Sequence, residues 1–278
     1  GGTLNGSTNT DRTNYFETVP SNQLEKMLWL EADRMGFLLD SVTQKKFEVQ
    51  RATVKNERGQ NYDNRPYGVV GEKSGEALYK KGHPYSWTTI GYIEDLNRVD
   101  VNDLKRFYMR WYGPNNAVLT VAGDVNTAEV VKMAEKYFGT IPRGPEVKNM
   151  EKQSAGITET RYISYEDNVR FPMLKITYPS VPSMDKDEAA LDALSSILAG
   201  SKSTPFYKTF IESQKAVSAD VYNYSKELAG DFNIIIRANA GTKLSEIEDM
   251  LNKSLEEREK TGATDDDIKK YKASYQSN

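Results

Sequence analysis

Thr3-Leu4-Asn5-Gly6-Ser7-Thr8 and Thr13-Asn14-Tyr15-Phe16-Glu17-Thr18-Val19, joined through Thr10-Asp11-Arg12, decide how this chain is read. Both runs are rich in Thr, Asn and Tyr, and the short polar connection predicts two extended segments paired as a hairpin. Pro20 and Ser21 stop the second. Leu24, Leu28, Ala32, Met35 and Leu39 then recur at spacings of three and four, which predicts an amphipathic helix with Ser21 as N-cap and Asp40-Ser41 at its end. A second helix runs from Thr43 to Tyr62, ahead of the breaker Asn64-Arg65-Pro66.

Strand, turn, strand, helix, helix recurs between Ala216 and Asn278. Leu24, Met27, Leu30 and Met35 fall on Leu244, Ile247, Met250 and Leu255 at one constant offset, and Thr43 to Phe47 falls on Thr264 to Ile268 one residue later. An internal repeat of this size implies a duplicated α+β unit. The second copy is preceded by predicted strands at 160–165 and 173–178 and helices at 186–198 and 204–213, whereas nothing precedes the first. The first copy is therefore expected to lack a leading strand and helix, leaving an apolar sheet face for some other surface to cover.

Between the copies the pattern predicts helices at 68–79, 101–112 (capped by Asp100) and 127–138 (ended by Gly139), and a strand covered on both faces at 117–122, Ala-Val-Leu-Thr-Val-Ala. Residues 142–156 mix Pro, Gly, Lys and Glu without periodicity and are read as the linker. Strands at 217–224 and 232–238 and helices from Leu244 and Asp265 complete the second copy.

Composition excludes several functions. The 278 residues carry 37 Lys+Arg against 40 Asp+Glu, a net charge of −3, which argues against an electrostatic nucleic-acid binder. No apolar run approaches the roughly 18 residues of a membrane span. With no cysteine and only His83, the chain cannot by itself supply a thiolate or two-histidine metal site. Pro84 follows His83, and no acidic pair is spaced to use that ring, so it reads as a loop-packing histidine rather than a ligand or base. Trp87 and Trp111 read as core.

One residue stands out. Phe47, Gln50, Val54 and Glu57 share a helix face, so Glu57 falls on the apolar stripe, where a carboxylate is costly unless paired or bound to metal. The bland reading is that the helix has turned outward there and Glu57 pairs with a neighbour such as Arg58.

The segments 2–8 and 11–17, Gln50-Arg51-Ala52-Thr53-Val54-Lys55-Asn56-Glu57-Arg58, Asp63-Asn64-Arg65-Pro66-Tyr67-Gly68, Gly91-Tyr92 with Asp95-Leu96, and Trp111-Tyr112-Gly113-Pro114-Asn115-Asn116-Ala117 with Gly123-Asp124 resemble the M16 (pitrilysin and insulysin) zinc peptidases. The resemblance implies two homologous α/β domains, 1–145 without its N-terminal strand and helix and 156–278 open to truncation at its C-terminal end, each a mostly antiparallel sheet with helices on one face (LuxS/MPP-like). It implies Zn2+ in a longer parent, held by two histidines of an H-x-x-E-H motif and by Glu57, with Gln50 where many relatives carry a supporting glutamate. That motif is absent here and is expected ahead of Gly1, so this chain is expected to hold no zinc and to be inactive alone. The resemblance also implies an unfolded polypeptide substrate added as a strand along Asn5, Gly6, Ser7 and Thr8, although the residues alone also allow an ordinary bulged strand. It implies a further C-terminal half or second subunit, and a periplasmic or cell-envelope location. The competing reading is a non-catalytic M16-like scaffold that binds polypeptide.

Overall fold

The computed structural model describes residues 1–277; Asn278, the expected counterpart of Glu57, lies outside the described residues. The strands are β1 (Thr3–Thr8), β2 (Thr13–Thr18), β3 (Met173–Ser180), β4 (Ala216–Ser225) and β5 (Gly230–Ala238). The helices are α1 (Leu24–Phe37), α2 (Gln44–Arg58), α3 (Val70–Leu78), α4 (Ile93–Arg98), α5 (Val101–Trp111), α6 (Thr127–Phe138), α7 (Glu188–Ala199), α8 (Leu244–Thr261) and α9 (Asp265–Ser277). The class is α+β with antiparallel sheets, as expected. The chain divides into two compact units, residues 1–64 with 89–149 and residues 65–88 with 150–278. The break after 149 lies inside the irregular stretch 142–156, but residues 65–88 group with the second unit rather than with 1–145.

In the first unit β1 and β2 pair antiparallel, Thr3 opposite Thr18 and Thr8 opposite Thr13. Asn9 makes the turn, because its side-chain oxygen accepts from the N–H groups of Asp11 and Arg12, both at 2.9 Å. Ser21 is not the N-cap of α1; Ser21–Gln23 is a 3₁₀ turn that feeds the helix without a side-chain cap. The Thr43 hydroxyl caps α2 by accepting from Lys46 N–H, and the helix ends in a π-helical turn, Gly59–Asp63. α4 is one short helix that the sequence pattern missed. α5 begins in a full capping box between Asp100 and Asp103, and Asn126 caps α6.

Only three apolar residues of this unit, Leu28, Ala32 and Phe47, are buried among those described. The expected strand at 117–122 does not form, and Val118 is 93% exposed. A strand buried on both faces needs neighbours along both edges, and no described strand pairs with this run. Leu4 (81% exposed), Phe16, Trp29 and Phe107 also face solvent.

The second unit is closed. Its three strands run in the order β3-β5-β4, all antiparallel. Alternation along the central strand puts Phe232, Ile234, Ile236 and Ala238 into a core with Leu198 of α7, Phe206, Phe210, and Ile247 and Leu251 of α8. Each such large side chain contributes about 1.5–3 kcal/mol. Leu78, Tyr79 and Tyr85 from residues 65–88 form a second cluster with Ala155, Leu228 and Ala229. No strand forms at 160–165, where Tyr162 and Ile163 are exposed.

Candidate functional site

β1 is exposed along its whole length and pairs only with β2, so its outer edge is free among the described residues. The four residues expected to meet a polypeptide lie on it. Asn5 turns its side-chain oxygen back onto Gly6 N–H at 2.8 Å. The Ser7 hydroxyl donates to Asn14 Oδ1 at 2.5 Å and accepts from Arg12 at 3.1 Å, while the Thr8 and Thr13 hydroxyls meet at 3.1 Å. The side chains of Ser7 and Thr8 thus brace the hairpin, and what the edge offers a ligand is backbone.

Below the hairpin lies a polar cluster that spacing alone did not reveal. The Arg34 guanidinium sits 3.8 Å from the centre of the Tyr15 ring and pairs with Glu31 at 2.5 Å. Its bond to Glu31 holds that carboxyl below its usual range, whereas burial and the neighbouring Glu31 charge push the Glu17 carboxyl up. Tyr15 and Tyr112 share a hydrogen bond at 3.0 Å, and burial with that bond pushes Tyr15 up to about 12. Glu31 and Arg34, three apart on α1, were legible as a helix pair; their contact with β2 depends on the hairpin docking and was not.

On α2 the inward-facing reading of Glu57 is overturned. Glu57 and Gln50 are both exposed, and the buried face runs through Phe47 to Arg58. Arg58 is 7% exposed; it donates to the Gly91 carbonyl at 2.6 Å, approaches Asp63 at 3.4 Å and lies against the Tyr62 and Tyr92 rings. Three-four-three spacing left the phase of the stripe ambiguous by one residue, and the arginine's long stem took the inner place. Glu57 has no hydrogen-bond or ion-pair partner among the described residues, so its carboxylate is free.

No group of three or more His, Asp or Glu able to hold a metal exists among the described residues. The donors present therefore do not fit zinc: Glu57 offers one carboxylate, and the single histidine is engaged elsewhere. His83 is 6% exposed, stacks on Tyr79, accepts from Tyr85 N–H through Nδ1 at 3.1 Å and places Nε2 3.3 Å from the Gln153 carbonyl. It packs a loop, as expected. Trp87 and Trp111 are not core residues; both are substantially exposed.

Comparison with known proteins adds to this geometry. The family profile described as "Peptidase M16 inactive domain" matches residues 98–275. The zinc protease PqqE of Helicobacter pylori is 28% identical over 281 residues, covering 98% of this chain, which spans 62% of that protein's length. The solved structure of a protease from Helicobacter pylori superimposes with a TM-score of 0.85 at 28% identity, covering all of this chain and 67% of that one. The mitochondrial-processing peptidase subunit beta of Caenorhabditis elegans is 31% identical over 147 residues, 52% of this chain and 31% of that protein. The first half of the periplasmic protease PqqL from Escherichia coli shares the fold alone, with a TM-score of 0.68 at 13% identity over 98% of this chain and 59% of that one.

Proposed function

The chain belongs to the M16 peptidase family, and from that premise we propose that it is the polypeptide-binding part of a zinc-dependent metalloendopeptidase and does not hydrolyse peptides alone. The observation that carries this is β1: a fully exposed strand with one free edge, built to accept an extended chain by backbone hydrogen bonds. Asn5, Gly6, Ser7 and Thr8 form the binding register, so the substrate is unfolded or locally unfolded polypeptide of little side-chain preference.

Glu57 is one carboxylate donor toward zinc, and the remaining donors come from additional polypeptide. The same polypeptide supplies the strand and helix that cover the apolar face of the first unit. Support comes from the unpartnered apolar run at 117–122 and the three-residue core. The two units are read as two copies of one LuxS/MPP-like domain, and assembly with a further half or a second subunit follows. A periplasmic or cell-envelope setting accords with the periplasmic relative; no described helix is long and apolar enough to cross a membrane.

Peptides N-methylated at alternate residues test strand addition. Methylation in one register should abolish binding and in the other leave it intact, whereas equal loss in both registers contradicts the proposal. A second reading, a non-catalytic scaffold of the same family, is favoured by the match to the inactive-domain profile. It predicts that Glu57→Gln leaves the zinc affinity of the longer parent unchanged; the peptidase reading predicts a loss on the order of 10–100-fold.

A further inference from the structure

Gly6 stands directly opposite Tyr15 in the hairpin. A Cβ placed on Gly6 would come within 3.3 Å of Cδ1 of the Tyr15 ring and 3.2 Å of the Asn14 carbonyl oxygen, tighter than ordinary contact, so any larger residue there must push the ring or the strand aside. An aromatic side chain here shields an edge glycine. The same ring is held from the helices. The Arg34 guanidinium of α1 lies 3.8 Å from its centre, and the Tyr112 hydroxyl, at the end of α5, shares a hydrogen bond with the Tyr15 hydroxyl at 3.0 Å. Tyr112 in turn stacks on Tyr108 with ring centres 4.4 Å apart, and the Tyr108 hydroxyl donates to the Arg34 carbonyl at 2.6 Å.

The Gly6–Tyr15 pair sits where the two edges of β1 are decided. Asn9 N–H donates to the Arg12 carbonyl at 3.0 Å, so residues 9 and 12 form a hydrogen-bonded pair, and antiparallel alternation makes 7 with 14, 5 with 16 and 3 with 18 the others. Leu4, Gly6 and Thr8 therefore turn their own N–H and C=O groups to the free edge, and Gly6 N–H meets the Asn5 side chain rather than β2. Sliding β1 by one residue rotates the strand and sends the groups of Asn5 and Ser7 outward instead. Asn9, Ser7 with Asn14, and Thr8 with Thr13 secure the pairing near the turn. Farther along, Leu4 is too exposed to secure anything, and a slide would set Asn5 or Ser7, each with a Cβ, against the Tyr15 ring.

We infer that Tyr15 is a positioning residue for polypeptide binding: its ring, seated on Gly6 and held against α1 by Arg34, pins the register of β1 and so decides which backbone groups meet an incoming strand. The binding half of this rests on the strand addition proposed above; the register half does not. Because the chain has no cysteine, cross-linking can read the register directly. Residues opposed in a non-hydrogen-bonded pair lie about 4.5 Å apart at Cα, within disulfide reach. Under a mild oxidant the pair Leu4→Cys with Glu17→Cys should close at least about tenfold faster than the slipped pair Asn5→Cys with Glu17→Cys. Tyr15→Phe, which keeps the ring, should preserve that preference, and Tyr15→Thr, which keeps strand propensity, should reduce it to within about twofold. Tyr15 is 42% exposed, so its loss empties no closed core, and circular dichroism checks the fold. Arg34→Met, which releases the ring from the helix side, should lower the preference in the same direction and carries the test if Tyr15→Thr does not fold.

Anisotropy titrations of the same variants with the two N-methylated peptide registers read the consequence for binding. The affinity ratio between the registers should survive Tyr15→Phe and collapse in Tyr15→Thr. A tyrosine that merely supports the fold would weaken both peptides together and leave the ratio unchanged. That result, or an unchanged cross-linking preference in Tyr15→Thr, overturns the inference. A chain that binds neither peptide yet cross-links as expected contradicts strand addition and leaves the register pin standing.

Discussion

At the residue scale, Glu57 and Arg58 exchange the roles that periodicity assigned them. Arg58→Ala leaves the Gly91 carbonyl without its donor and opens the space between the Tyr62 and Tyr92 rings, and is expected to cost about 2–4 kcal/mol in urea unfolding. Glu57→Ala is expected to change stability by less than about 0.5 kcal/mol, since nothing in the chain leans on that carboxylate. His83 adds a pH dependence. Burial, and after it the Lys226 charge, holds its ring below the usual histidine range, and neutral Nδ1 is what accepts Tyr85 N–H. A depressed histidine gives stability that is complete above an unfolded value of about 6.5 and is lost as the pH falls through the folded value. The unfolding midpoint should therefore drop between pH 7.5 and 5.5. That drop should be smaller in His83→Asn.

At the scale of elements, the helices other than α4 were legible, whereas two expected strands do not form. Repeats of three and four with Thr43, Asp100 and Asn126 at the starts specify α2, α5 and α6 locally, because a helix satisfies its own backbone. A strand does not. Residues 117–122 and 160–165 have strand composition, but strand identity depends on a neighbour, and the described residues provide none. The candidate site was half legible for the same reason: β1 and its turn chemistry are local, whereas the docking of Tyr15 and Glu17 onto Glu31 and Arg34 is not. The start of α9 offers a local test. Asp267 accepts from Thr264 N–H, the Thr264 hydroxyl and Arg258, which together hold its carboxyl far below the usual range. Asp267→Ala should cost about 1–2 kcal/mol, read as faster amide exchange throughout α9.

At the scale of the whole molecule, the two units differ in how much apolar surface they close. A second unit with Phe206, Phe210, Ile236, Ile247 and Leu251 fully buried can hold its fold, while a first unit with three buried apolar residues and Val118 in solvent is marginal. Hydrogen exchange should show strong protection in β5 and α8 and rapid exchange in β1 and β2; equal protection would mean that the exposed apolar face costs nothing. On the proposed function this chain holds and orients polypeptide, while hydrolysis needs donors it does not possess. Assaying the 278-residue chain with a quenched fluorescent peptide in added zinc tests this most directly. Binding without cleavage is the predicted result. Cleavage that a chelator stops and Glu57→Gln abolishes would contradict it.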